Sequence, residues 1–180
     1  MGVTIISDDM TVIDRFIESW GAMGSVWGIN ASTARIHALL MTNTDPMSLD
    51  AIAKRLRISR GNASMCLKEL RGWGVIRLIK EPGDRRDYYV SESDVQKMFF
   101  AIAGERKRRE FDPLVEVVED TLRSLKQETG GRQDEVRARL EQMEELLSTL
   151  KVVGDRFLGN EKLAKSLLPL LLRSSRQAKQ

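Results

Sequence analysis

Arg60 and Asn62 stand two residues apart near the start of a segment that reads as a helix, and the chemistry they suit is recognition of base edges. A guanidinium can take guanine bidentately and a carboxamide adenine, each contributing roughly 1–3 kcal/mol of discrimination against the wrong base. Ser59, Ser64, Met65 and Lys68 belong to the same segment, with Ser64 and Lys68 suited to phosphate. A second group of cations, Arg85 and Arg86, closes the stretch Glu81-Pro-Gly-Asp-Arg-Arg86. Pro and Gly supply a turn there, and arginines at its tip suit backbone phosphate or the minor groove. Asp84 reads either as a holder of one wing arginine or as a simple turn residue.

The elements that must position these side chains follow from apolar spacing. Leu49, Ile52, Ala53 and Leu56 fall at i, i+3, i+4 and i+7, one face of a helix. A turn at Arg57-Ile58 follows, and Ser59 is placed to N-cap a second helix. Ala63, Leu67 and Leu70 face the first helix, which leaves Arg60, Asn62, Ser64, Met65 and Lys68 outward. Val75–Lys80 and Tyr88–Val90 read as two strands around the Pro-Gly turn. Residues 48–91 therefore read as one winged helix-turn-helix, with a basic outward helix beside a hairpin wing.

The remainder reads as helical. Residues 1–8 are expected to be loose, and Asp9 to cap a first helix with Ile13, Phe16, Ile17 and Trp20 on one face. Gly21, Gly24 and Gly28 are expected to interrupt it, Ser32 to cap the next helix, and Asn43–Pro46 to end that one. Ser91 and Asp94 have capping-box spacing before a long helix in which Asp112-Pro113 forces a kink or a restart. Val115, Val118, Leu122 and Leu125 continue an apolar stripe until Gly130-Gly131. Val136, Leu140, Met143, Leu147 and Leu150 then step by four and three, a heptad seam that suits an antiparallel hairpin or part of a subunit interface. A last helix over Glu161–Arg173 carries Pro169 and is expected to bend.

The expected class is mainly α with a small β-wing, a winged helix-turn-helix with long C-terminal dimerisation helices. Residues 1–30 form an N-terminal helix and linker expected to pack with the dimerisation region. Residues 31–91 form the DNA-binding domain, and residues 92–180 a helical dimerisation and effector-response region.

Charge supports a localised polyanion site. The chain of 180 residues carries net +3, yet from Lys54 to Arg86 ten Lys or Arg face three Asp or Glu, a local +7 that leaves −4 elsewhere. The charged block Glu105–Glu110 reads instead as a solvated helix face. The single cysteine, Cys66, allows no intrachain disulfide and fits a reducing cytoplasm; beside core-facing Leu67 it reads as a packed side chain rather than a redox sensor. No basic segment followed by an apolar core marks a signal peptide, and the longest apolar run, Leu167–Leu172, is too short to cross a bilayer, so a cytoplasmic location without a membrane partner is expected. One histidine, His37, gives no metal-ligand spacing and reads as a capped or partly exposed helix residue. With no phosphate loop, nucleophile motif or metal cluster, no catalytic residue, metal or cofactor is expected, and the chain does not read as an enzyme. Trp73 is expected to fix the wing against the helices. Trp20, Trp27, Phe99 and Phe100 read as core or as the lining of an effector pocket for a quaternary ammonium cation.

Ala34-Arg-Ile36, Leu49…Leu56, Ser59-Arg-Gly-Asn-Ala-Ser64, Gly74-Val-Ile76 and Pro82-Gly-Asp-Arg-Arg-Asp-Tyr-Tyr-Val90 resemble the GbsR-type branch of the MarR superfamily. The resemblance covers about residues 10–125. The Asp84-x-Arg86 pair is similar to the general wing motif, and Tyr88-Tyr89 to the GbsR branch. It implies a homodimeric winged-helix regulator, usually a repressor, dimerising through helices outside the winged helix. Some members control choline and glycine betaine genes with a quaternary ammonium effector. It also implies recognition-helix positions from Ser59 to Lys68 and wing arginines at Arg85 and Arg86. The expected partner is a pseudo-palindromic operator in double-stranded DNA, with half-sites about 34 Å apart. The alternatives are a winged-helix protein-interaction module and an architectural DNA-binding module without an effector.

Overall fold

The computed structural model describes residues 10–125 and 131–159. The expectations for residues 1–8, Asp9 and the helix at Glu161–Arg173 lie outside them. The observed class is the expected one: mainly helical, with a small three-stranded antiparallel sheet and a long helix, α7, of 29 residues. The chain divides into two compact units between Ala101 and Ile102.

In the first unit, helices α1 (Val12–Val26) and α2 (Ala31–Thr42) pack against each other. Thr11 caps α1 in a reciprocal capping box with Asp14, so the helix begins after Thr11. Gly21 and Gly24 do not interrupt α1. They are buried within it, and a Cβ at Gly24 would lie 2.5 Å from Cβ of Ala34 on α2. The glycines therefore permit a close helix–helix approach, which outweighs their poor helix propensity. Only Gly28, at φ +73°, acts as the expected break. The α2 cap is Asn30 rather than Ser32: its side chain accepts the Ser32 N–H at 2.8 Å.

The strand β1 (Met47–Ser48) leads into helices α3 (Leu49–Leu56) and α4 (Arg60–Gly72), with Ser48 and Ser59 as N-caps. Ile52, Ala53 and Leu56 of α3, and Ala63, Leu67 and Leu70 of α4, are all buried. Arg57 ends α3 in the left-handed region at φ +53°. Strands β2 (Ile76–Lys80) and β3 (Asp87–Ser91) form the hairpin, with Lys80 opposite Asp87, and β1 adds to the other side of β3 through Met47 opposite Tyr89. The hairpin turns where Asp84 N–H donates to the Glu81 carbonyl, with Pro82 and left-handed Gly83 between.

Helix α5 (Val95–Arg106) is capped by Asp94 alone, whose carboxylate accepts the N–H groups of Gln96 and Lys97. Ser91 is instead the last residue of β3. The start of α5 belongs to the first unit. His37 Nε2 lies 3.3 Å from Sδ of Met98, and the Trp20 ring lies 6.3 Å from its imidazole. His37 is thus buried, not partly exposed, and burial holds its pKa down at about 4.

In the second unit the helical pattern changes just before the proline. A π-helical turn at Lys107–Phe111 leads directly into α6 (Asp112–Leu125), with Asp112 in helical conformation. The wider turn sits where the Pro113 ring would otherwise meet the carbonyl of Arg109. Helix α7 (Gly131–Gly159) returns antiparallel. Arg137 near its start donates to the Leu125 carbonyl, and Asp155 near its end bonds Lys107 at 2.8 Å. Lys107 also holds Asp112 at 2.6 Å, and Gly154 leaves room for its stem. Val115, Val118 and Leu147 form the buried apolar cluster of this hairpin. Of the heptad seam, Leu147 is buried and Leu140 half-buried, while Val136, Met143 and Leu150 are exposed.

Two measurements check this packing. Gly24→Ala should lower the melting temperature although alanine is the better helix former, because its methyl forces α1 from α2. Gly61→Ala, with open space around it, should instead gain up to about 1 kcal/mol. A stabilised Gly24→Ala would show that the helices do not touch there. His37 gives a pH signature. An unfolded histidine protonates near 6.5 but buried His37 only near 4, so the unfolded state binds the extra proton between them. Stability should fall as pH drops from 6.5 towards 4, and His37→Leu should flatten that stretch of the stability curve.

Candidate nucleic-acid interface

Helix α4 starts at Ser59, whose hydroxyl accepts the Asn62 N–H at 3.1 Å. Arg60, Ser64, Met65 and Lys68 are exposed, as the spacing requires. Met65 offers apolar surface of the kind that contacts a thymine methyl.

Asn62 differs from its expected outward placement. It is half-buried: its amide donates to Ser32 Oγ at 3.1 Å, and its oxygen lies 3.4 Å from the Cys66 thiol. Bidentate adenine recognition needs both of those amide atoms, so Asn62 must exchange both partners to read a base. Cys66 itself is packed, and burial pushes its thiol pKa up, which disfavours the thiolate that oxidation chemistry needs.

Arg60 meets Asp50 at the start of α3, Nη1 to Oδ1 at 2.9 Å, with both side chains largely exposed. Arg60, Asp50, Arg85, Arg86, Lys80 and Asp87 line one cleft of about 320 Å³ between the first turns of α3 and α4 and the wing. Sequence reasoning placed the three arginines there but missed Asp50, Lys80 and Asp87.

The two wing arginines are not equivalent. Arg86 is fastened to Asp84 by Nε at 2.9 Å and Nη2 at 2.6 Å, and Tyr88 donates its hydroxyl to the same carboxylate at 2.8 Å. The Arg86 guanidinium also lies 5.4 Å from the Tyr88 ring centre. These bonds, led by that from the Arg86 side chain, hold the Asp84 carboxyl well below the usual carboxylate range. Asp84 is thus a holder of Arg86, not only a turn residue. Arg85 is exposed and has no carboxylate partner among the described residues. Arg86 precedes β3 and Tyr88 lies within it, two residues on, and both meet the Asp84 carboxylate.

Residues 27–87 match the MarR family model. The chain is 24% identical over 99 residues to a putative HTH-type transcriptional regulator, YvaV, of Bacillus subtilis (strain 168); the match covers 53% of this chain and 56% of that protein. The crystal structure of a transcriptional regulator superposes with TM-score 0.65 at 26% identity, covering 83% of this chain and 97% of that one. The S. aureus MepR–DNA complex is similar at 20% identity with TM-score 0.36, over 76% of this chain and 90% of that one.

The four aromatics lie in different settings. Trp20 stacks near Phe16 and His37, and Phe99 meets Phe100 edge to face at 5.7 Å. Phe100 is buried, whereas Phe99 and Trp27 are exposed. No helix among the described residues is long and apolar enough to cross a membrane.

The wing arginines and Arg60 should separate in DNA binding. Arg85→Gln and Arg86→Gln should each weaken binding evenly across sequences and reduce the salt slope by about 1. Arg60→Gln should relax preference at one base pair in each half-site, by roughly 1–3 kcal/mol. Anisotropy titrations on matched and substituted duplexes distinguish the two; uniform weakening by Arg60→Gln would remove it from base reading.

Proposed function

We propose that this chain is a sequence-specific double-stranded DNA-binding transcriptional regulator, a homodimeric repressor of the GbsR type acting on a pseudo-palindromic operator. The observation that carries the reading is the shared cleft of Arg60, Arg85 and Arg86, which presents a recognition helix and a wing to one polyanion. Ser59 and the first turn of α4 enter the major groove; Arg60, Met65 and, once freed, Asn62 meet base edges. Ser64 and Lys68 hold phosphate beside them, and the wing arginines hold the backbone or minor groove. Dimerisation falls to helices outside the winged helix, supported by the exposed apolar residues Leu146, Leu150 and Val153 of α7. For an effector, the GbsR resemblance and the aromatic residues Trp20, Trp27, Phe99 and Phe100 support a quaternary ammonium compound, since aromatic faces attract such cations. The regulated genes are then those of transport, osmoprotection or stress.

The decisive test is selection of genomic fragments by the purified protein at near-physiological salt, with and without choline and glycine betaine. A pseudo-palindrome whose occupancy changes with one of these compounds is the expected result. A motif indifferent to both removes the effector class and keeps the regulator. Binding without sequence preference removes sequence-specific regulation altogether.

A further inference from the structure

A second cleft lies on the side of the first unit formed by α1, α2 and the turn after α3, with a volume of about 550 Å³. It collects three guanidinium groups, Arg35, Arg55 and Arg57, against two carboxylates, Asp14 and Glu18. Two of the arginines are spoken for. Glu18 Oε1 accepts Nε and Nη2 of Arg35 at 2.9 and 2.5 Å, and Asp14 takes Arg55. Arg57 is exposed and has no carboxylate partner among the described residues, so the cleft keeps one uncompensated positive charge.

The backbone makes Arg57 unusual as well. It is the one non-glycine residue with positive φ among the described residues, in the left-handed position that closes α3. Glycine is the residue that position favours, since a Cβ there is sterically costly. An arginine carried at such a position directs a cation to a wall where two others already converge. From the open volume, the predominance of charged lining and the unpaired guanidinium, we infer that this cleft binds a small organic anion, a carboxylate or phosphate group, anchored by Arg57. The Arg35–Glu18 and Arg55–Asp14 pairs fix the walls, and the one excess positive charge is that of Arg57. Its chemistry is opposite to that of an aromatic cage, which takes a cation.

The turn that carries Arg57 is two residues from Ser59, the cap of α4, but the site is tested without DNA. Its failure therefore leaves the operator reading untouched, and failure of that reading leaves the site untouched. Calorimetric titrations of the full chain with citrate and with inorganic phosphate are the experiment. Saturable binding of at least one probe is expected, weakened at least tenfold in Arg57→Gly and unchanged in Arg77→Gln, a surface arginine of β2. Glycine suits the left-handed backbone, so Arg57→Gly should melt no lower than the parent chain, and loss of binding then reports the guanidinium rather than the fold. The stronger of the two probes tells carboxylate from phosphate. No saturable binding of either, or equal binding by the parent chain and Arg57→Gly, overturns the inference.

Discussion

The contact between α2 and α4 is the constraint on which the rest of the winged helix depends. Helix α4 is aimed by what its inner face touches, and that face rests on α2 as well as α3. The contact is partly polar: Thr33 on α2 is fully buried and donates to Glu69 of α4 at 2.8 Å, while Ser32 accepts from Asn62. A buried hydroxyl without a partner costs about 1–3 kcal/mol, so these bonds admit few alternative registers. A purely apolar contact would tolerate sliding that this one does not. The opposite side of α2 is closed by α1 across Gly24 and Ala34, which leaves α2 little freedom to shift in response to α4.

On this rigid base the cations are held at different strengths. The Arg60–Asp50 pair is exposed, and such pairs contribute roughly 0.2–1 kcal/mol, less than the roughly 1–3 kcal/mol of a bidentate base contact. In the proposed complex the pair would orient the arginine without preventing its transfer to DNA. Arg86 is oriented more completely, by a fork on Asp84 and the face of Tyr88, so its rotamer entropy is largely lost before any phosphate arrives. Arg85 beside it keeps its freedom. One wing thus combines an oriented cation with an adaptable one.

The helix-turn-helix was legible because its signals are local: apolar residues at helical spacing, and serines placed where caps are needed. What was missed depends on neighbours distant in sequence. Gly21 and Gly24 look like breaks until Ala34 and Arg35 are seen pressed against them. His37 looks exposed until Trp20 and Met98 close over it. The cap at Asn30 lies two residues from the one expected at Ser32, because either polar side chain could accept a free N–H at that helix start. Strand β1 has two residues and exists only through its pairing with β3. At the interface, exposed Arg60, Ser64, Met65 and Lys68 followed from periodicity. The engagement of Asn62 did not, since its partner Ser32 is thirty residues away.

The second unit shows why a helical hairpin of this composition needs more than itself. Its buried apolar cluster consists of Val115, Val118 and Leu147, with Phe111 and Leu122 packed beside it. Leu114, Val117, Met143, Leu146, Leu150 and Val153 remain exposed on the same two helices. Among the described residues these two helices bury few side chains, a small gain against the entropy of ordering them, and leave several large apolar side chains in water. In the proposed dimer, cover from a second copy of the chain would resolve both problems by adding burial and removing exposed apolar surface from water. In the proposed dimer the fold of these helices and the pairing of two recognition helices are then one event. A substitution that weakens the α7 face would reduce operator affinity without touching a residue that meets DNA.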